Sequence, residues 1–542
     1  MSEVIDCDLA IIGAGVAGAL PAVELADEAS IVFIEAGPRI DRHTALDLYW
    51  NALVKTPETP YPGAPLYPHP IAGRNDAWYV QRGPEPFRAT YLRAVGGTTW
   101  HWLGTALRFV PDDFRLATRF GRGVDWPLTY DELEPWYSKA EAALGVAGDA
   151  TDDLGSPRQQ PFPLPPIPMS YCDKVFAEAL EDYDIGPVRP TPQARNSIPY
   201  QDRPVCCGSA SCIPLCPVQA KWDATVPLDQ AEAKGARILE SSVVVGLETA
   251  ADGRITLALV QRSDGSRFQV RAKVFVLAAH GIESPRLLLH SASERYPTGL
   301  ANRSDQVGRN LMDHLINHSS ALSKDPVWPY RGPISTAGIE RPRSGSFRAE
   351  RSAYRIEIGN DGWAWPAGAF VWAVNDTAQA GLRDEAFKRA LYDESVRHIR
   401  IGCMHEQLPN PENRIELATD QLDHYGVPRP AVSYRIGDYE RAGLAASHLQ
   451  HAEIFRRIGA TDVTHTQGYF DAGHIMGTAR MGKDPDSSVV DRNLCAHDHK
   501  NLFILGSAVF PTSAAANPTL TIAALSLRAV GAIRESLGRS GD

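Results

Sequence analysis

The chain has little that would tie it to nucleic acid or to a bilayer. Its 54 lysines and arginines are outnumbered by 65 aspartates and glutamates, for a net charge of −11. No block of basic residues offsets that balance, so nucleic acid is excluded as a partner. Long hydrophobic runs are also missing. The most apolar stretches, Val274–Ala279 and Leu520–Leu525, fall far short of the ~20 residues that span a bilayer, and no transmembrane segment is expected. The first residues, Met1-Ser-Glu-Val-Ile-Asp-Cys-Asp, carry neither a basic n-region nor an apolar h-region, so no secretory signal is expected there. There is no internal repeat and no long low-complexity tract. What remains is a globular composition, 44% hydrophobic and 22% charged. At 542 residues the chain exceeds the roughly 250–300 at which a single core stops growing, which predicts two domains.

Cysteine is scarce, at eight residues, but half of it is concentrated in Cys206-Cys207-Gly-Ser-Ala-Ser-Cys212-Ile-Pro-Leu-Cys216-Pro217. Zinc prefers four ligands in two separated pairs, and adjacent Cys206 and Cys207 cannot both reach one ion without distortion. A disulfide framework needs an oxidising compartment and leaves Cys7, Cys172, Cys403 and Cys495 scattered. Short spacers closed by a Cys-Pro pair match the way a loop wraps an iron–sulfur cluster. The expectation is a cluster held by Cys206, Cys212 and Cys216, three thiolates suiting a [3Fe-4S] cluster or a four-iron cluster with one foreign ligand, with Cys207 spare.

The N-terminus reads as strand, glycine turn, helix, strand, acid. The segment Asp8–Ile12 runs into Gly13-Ala-Gly15-Val-Ala-Gly18, and a second strand, Ser30–Ile34, ends at Glu35. In a dinucleotide fingerprint Gly13 makes the tight turn, Gly15 lets backbone approach a pyrophosphate, Gly18 allows close helix packing, and Glu35 holds a ribose hydroxyl. The acid falls about 20 residues on, where the fingerprint expects it. It disfavours a 2′-phosphate and leaves FAD or NAD.

Further strands are expected at Ile238–Leu247, Ile255–Gln261, Arg267–Val270 and Val274–Leu277, with a helix at Ser284–Leu289. The proline-rich segment Gln159–Pro168 reads as an extended connector. The nucleotide-binding domain is therefore expected to be discontinuous, comprising 1–110, 201–314 and 466–542. Residues 111–200 and 315–465 would form the substrate or cap domain.

Residues 92–108 contain Gly96-Gly97-Thr98-Thr99-Trp100-His101-Trp102. With Val307-Gly-Arg-Asn-Leu-Met-Asp313-His314, His474-Ile-Met-Gly477-Thr-Ala-Arg-Met-Gly482, Gly506-Ser507 and Asn517-Pro518-Thr519-Leu520-Thr521, the chain resembles the glucose–methanol–choline (GMC) oxidoreductases over nearly its whole length. Within that family the cysteine run makes it most similar to the large catalytic subunits of bacterial FAD-dependent glucose, gluconate and sorbitol dehydrogenases. The resemblance implies an α/β fold: a Rossmann-like FAD domain plus an α+β substrate domain on an antiparallel sheet. It implies FAD held by Gly13, Gly15, Gly18, Glu35, Gly96, Gly97, His101, Val244, Gly506 and Thr519, with Val243 and Val244 against the adenine. His101 either bonds covalently to the flavin or only shapes the pocket.

The resemblance places His474 as the base for the substrate hydroxyl, a role suited to a side chain titrating near neutrality. Asn517 would hold the oxygen, and is also readable as the N-cap of a helix whose first residue is Pro518. The expected activity is dehydrogenation of a sugar, aldonate or polyol, with electrons leaving through the cluster to a cytochrome c. The alternatives are an oxidase or glucoside 3-dehydrogenase with a soluble acceptor, or a non-catalytic relay subunit. Similar dehydrogenases work in the periplasm, at the inner membrane, exported with a small signal-bearing subunit; a cytoplasmic enzyme is the alternative.

Overall fold

A computed structural model describes residues 3–53, 56–61, 77–360 and 369–538. The first of its sheets is built around two neighbouring parallel strands, Glu3–Ile12 and Arg267–Leu277. On one side Ile31–Ile34 and then Arg237–Leu239 continue the parallel order. On the other side Arg267–Leu277 serves two partners. Its last residues pair in parallel with Leu502–Ile504, while its first half turns into an antiparallel meander with Ile255–Arg262 and Ser242–Thr249. The central strand ends are almost wholly apolar and buried, with Leu9 to Ile12, Ile31 to Ile34 and Val274 to Leu277 at 4% exposure or less. Strands covered on both faces require such unbroken hydrophobic runs.

The expected strand Ile238–Leu247 is two strands in the structure, interrupted at Glu240 and Ser241, where Ser241 takes a φ of +50°. The expected pair Arg267–Val270 and Val274–Leu277 is one continuous strand, because Cys7 and Ala272 keep the register between them. The helix expected at Ser284–Leu289 runs His280–His290.

The C-terminal helix Thr519–Ser536 packs between helices Val16–Leu25 and Tyr130–Leu144, and Tyr137 and Thr521 share a hydroxyl hydrogen bond of 2.8 Å. Phe114, Trp126, Leu133, Tyr137 and Leu144 thus join the core of the nucleotide-binding layer.

The second sheet is antiparallel, in the order Thr461–His465, Leu315–Leu322, His398–His405, Tyr354–Ile358, Ala337–Ile339, Arg189–Pro190. Side chains alternate across a strand. Ile399, Ile401 and Cys403 accordingly pack with Ile454 and Phe455 of helix Asp438–Ile458, while Arg400, Gly402 and Met404 line a cavity on the opposite side. A hairpin, Arg414–Leu422 with Pro428–Ser433, pairs with Val80–Arg82 to form a small third sheet.

Candidate active site

One cavity of about 710 Å³ runs from the glycine turn to the face of the antiparallel sheet. Gly13, Gly15, Glu35, Gly97, His101, Val244, Gly506, Thr519, His474 and Asn517 all line it. Gly18 and Gly96 stand behind its wall. A Cβ on Gly18 would come within 2.5 Å of the Gly13 carbonyl oxygen, so this glycine serves helix packing, as the fingerprint reading requires. Gly96 donates its amide to the Ala14 carbonyl at 2.9 Å, and a Cβ on Gly97 would sit 3.2 Å from the Gly15 Cα. The two glycine loops therefore abut, and this part of the wall is backbone.

Gly15 is the N-cap of helix Val16–Leu25, has an ordinary extended φ of −93° and makes no side-chain cap. The helix offers the amides of its first turn to the cavity, an arrangement that favours a phosphate. Glu35 is buried, which raises its pKa to about 7. Its two oxygens accept the amides of Ala14 (2.8 Å) and Gly37 (2.9 Å), so besides facing the cavity it braces the turn.

At the far end two segments come together. Met312 and Met476 exchange backbone hydrogen bonds of 3.0 and 2.9 Å. Buried Asp313 accepts the amides of His314 (2.6 Å), His474 (2.8 Å) and Gly473 (3.0 Å). His474 is held with its Nδ1 2.9 Å from Nδ1 of His314, whose Nε2 lies 3.2 and 3.0 Å from the carbonyls of Ser513 and Ala514. Burial lowers the pKa of His314 to about 4; burial and then His314 hold His474 well below the usual histidine value. Both imidazoles are neutral at pH 7.

Asn517 is not the N-cap. Pro518 occupies that position without a side-chain cap bond, and the helix begins at Thr519. The Asn517 Oδ1 is buried with no protein partner, and so is Nε2 of His101. A buried polar atom left unpaired is costly, and two of them on one cavity mark where a bound group completes the site. The residues present fit a dinucleotide cofactor along the glycine turn and a ligand beneath the antiparallel sheet.

The cysteine loop does not present a preformed ligand set. All the cysteines are free; Cys212 and Cys216 are buried, Cys206 is half-buried and Cys207 is exposed. Among the described residues no three His, Cys, Asp or Glu side chains are grouped so as to hold a metal ion. Cys216 Sγ accepts the Lys221 amide at 3.5 Å, and the Cys206 amide is tied to the Asn196 carbonyl. Only the donor chemistry suits iron: three reduced thiols on one loop beside a buried ammonium. Lys221 donates to the carbonyls of Trp100 (2.7 Å), Trp102 (2.8 Å), Cys212 (3.0 Å) and Thr99 (3.3 Å). It thereby ties the cysteine loop to the loop bearing His101.

The sequence offers His314 as the next residue to examine should His474 not be the base, but nothing in the spacing of Asp313 and His314 points to a partner 160 residues away. Lys221 had no signal at all. Among the described residues no helix is long and apolar enough to cross a membrane.

A parallel sheet with a glycine turn, an acid at the second strand and a polar cavity end beneath an antiparallel sheet defines a dinucleotide-cofactor oxidoreductase. Two models of the GMC oxidoreductase family match, at residues 189–316 and 409–526. The fructose dehydrogenase large subunit of Gluconobacter japonicus is 38% identical over 99% of each chain. The gluconate 2-dehydrogenase flavoprotein of Pantoea cypripedii is 24% identical over 98% of this chain and 94% of its own. The crystal structure of pyridoxine 4-oxidase from Mesorbium loti superimposes with a TM-score of 0.61 at 19% identity, covering 97% of this chain and 98% of that one. The chain belongs to the GMC oxidoreductase family and is an FAD-dependent oxidoreductase acting on CH–OH donors.

Proposed function

We propose that this protein is a dehydrogenase that oxidises a secondary hydroxyl of a sugar, aldonate or polyol, with fructose the first substrate to test. The observation that carries the reading is the neutral His474 on the same cavity wall as Asn517, whose side-chain oxygen finds no protein partner. The 38% identity to a fructose dehydrogenase large subunit along the full chain supports the substrate class.

Gly13, Gly15, Glu35, Gly97, His101, Val244, Gly506 and Thr519 would hold FAD. When bound, FAD would supply the hydride acceptor and so the redox chemistry. His474 removes the hydroxyl proton, and the Asn517 amide donates to the oxygen as charge develops on it. Asp313 keeps the base on station by accepting the backbone amides of Gly473 and His474.

In an assay with D-fructose, sorbitol, gluconate and glucose, the FAD-loaded protein should reduce a phenazine dye without added nicotinamide, and faster than it consumes oxygen. A strict need for NAD, or turnover only with oxygen, overturns the dehydrogenase reading.

Cys206, Cys212 and Cys216 are proposed to take up an iron–sulfur cluster, from which electrons pass to a cytochrome-type acceptor; three cysteines free of disulfides on one loop and their spacing support this. Anaerobically purified protein should contain iron and acid-labile sulfide, and Cys212→Ser should lose both while keeping FAD. Absence of iron from the native protein overturns it. A small partner subunit and work in the periplasm belong to the same proposal, supported by the name of the relative as a large subunit.

A further inference from the structure

We propose that His314 is a positioning residue that sets the tautomer of His474, keeping a proton on Nδ1 and leaving the Nε2 lone pair as the acceptor for the substrate proton. The inference rests on reading His474 as the base.

The assignment follows from a chain of donors and acceptors that has one consistent solution. His314 Nε2 lies 3.2 Å from the Ser513 carbonyl and 3.0 Å from the Ala514 carbonyl. A carbonyl only accepts, so Nε2 carries the hydrogen. A neutral imidazole protonated at Nε2 has a bare Nδ1. That nitrogen lies 2.9 Å from Nδ1 of His474, and two lone pairs cannot face each other at this separation. His474 therefore supplies the hydrogen, and its own Nε2 is bare. The reverse tautomer of His474 would require a charged His314, which a fully buried imidazole without a carboxylate in hydrogen-bond contact disfavours. The low pKa of His314, about 4, agrees with this.

The geometry is held from two sides. Asp313 fixes the backbone of both histidines. Ser513 and Ala514, which orient His314, lie just before Asn517 in the chain, so the base and the oxygen-holding amide are referenced to one segment. In the reaction the substrate O–H bond breaks and the proton moves to Nε2. The resulting imidazolium keeps its Nδ1–H on the bare Nδ1 of His314, so the orientation of the base is unchanged by the transfer and His314 acts without touching substrate. A histidine base held in the wrong tautomer loses most of its activity, as in the serine protease triad.

The test compares His314→Phe, which keeps a ring but offers no acceptor, with His314→Gln, which offers an oxygen to His474 and an N–H to the carbonyls. FAD-loaded enzymes are mixed anaerobically with D-fructose and flavin reduction is followed. His314→Phe should slow reduction about 10²-fold, toward the low end of what a general base contributes. Its half-saturating sugar concentration should stay within about threefold, since uniform binding is not what is lost. His314→Gln should recover to within about tenfold of native, the oxygen acceptor restoring the tautomer.

Independently of substrate, ring-15N-histidine spectra of the native holoenzyme should show His474, assigned by its loss in His474→Ala, protonated at Nδ1 and bare at Nε2. A proton found on Nε2 overturns the proposal. So does a His314→Phe enzyme that retains FAD and reduces it at the native rate. Should this variant not fold, the Gln variant and the native spectrum carry the test. If D-fructose reduces no enzyme, native included, the functional reading fails while the nitrogen spectrum still decides the tautomer.

Discussion

His474→Ala should bind FAD normally and reduce it about 10² to 10⁴ times more slowly than the native enzyme, the span a positioned general base contributes. The side chain is removed from the cavity wall, whereas its backbone amide, held by Asp313 at 2.8 Å, remains to keep the loop in place. The effect should therefore fall on the rate of reduction and not on cofactor content, which visible absorbance reports separately. Reduction by the variant within about threefold of native, below what a general base supplies, would place the proton acceptor elsewhere.

The pH dependence of the native enzyme carries the same reading with a definite sign. A protonated His474 accepts nothing, so the rate falls as pH drops through its pKa. Because burial holds that pKa well below the usual 6.5, the rate of flavin reduction should stay level as pH is lowered from 8 past 6.5 and decline only in more acid solution. An acid limb centred at or above 6.5 contradicts the buried environment.

Gly13→Ala should destroy the cofactor site and destabilise the fold that carries it. Gly13 has a φ of +103°, and a Cβ there would lie 2.4 Å from the Ala278 carbonyl oxygen and 2.9 Å from its carbon. Neither neighbour can yield, because Ala278 donates its own amide to Ile12 and continues the central strand pair. A left-handed conformation costs a residue with a Cβ roughly 1–2 kcal/mol, and forced overlap adds about 1–3 kcal/mol. If all of it appears as lost FAD affinity, the change is from about 30-fold to a few thousand-fold.

Gly15→Ala provides the contrast. Its φ is ordinary and a Cβ would meet no protein atom within 4 Å, so the protein without cofactor should melt as the native chain does while FAD binding weakens. Melting curves with and without added FAD separate the two. Equal melting of the two apo variants would mean that the turn gives way more easily than its packing indicates.

Where the sequence was legible, local chemistry was the reason. The glycine turn and Glu35 obey a backbone geometry that the residues themselves impose, and the apolar runs at Ile31–Ile34 and Val274–Leu277 could only be buried strands. The motifs around His101, His474 and Asn517 carried the far end of the cavity by resemblance, since nothing in their spacing brings them together. One local reading failed for a physical reason: Asn517 looked like a helix cap, but the chain starts the helix two residues later and leaves the amide oxygen bare. The pairing of His314 with His474 was illegible because it depends on tertiary closure between distant segments, with hydrogen placement set by the two carbonyls of a third.

The ammonium of Lys221 gives the molecule a property that neither of the loops it joins has alone. Four carbonyls, three from Thr99, Trp100 and Trp102 and one from Cys212, converge on it at 2.7 to 3.3 Å. No water-exposed alternative competes for a side chain that is 1% exposed. Two stretches more than 100 residues apart in the chain are riveted into one stiff block, so the sulfurs of Cys212 and Cys216 move with the imidazole of His101 and not against it. A rivet at this place holds the spacing of the two loops steady by mechanical means, and the polypeptide alone supplies it.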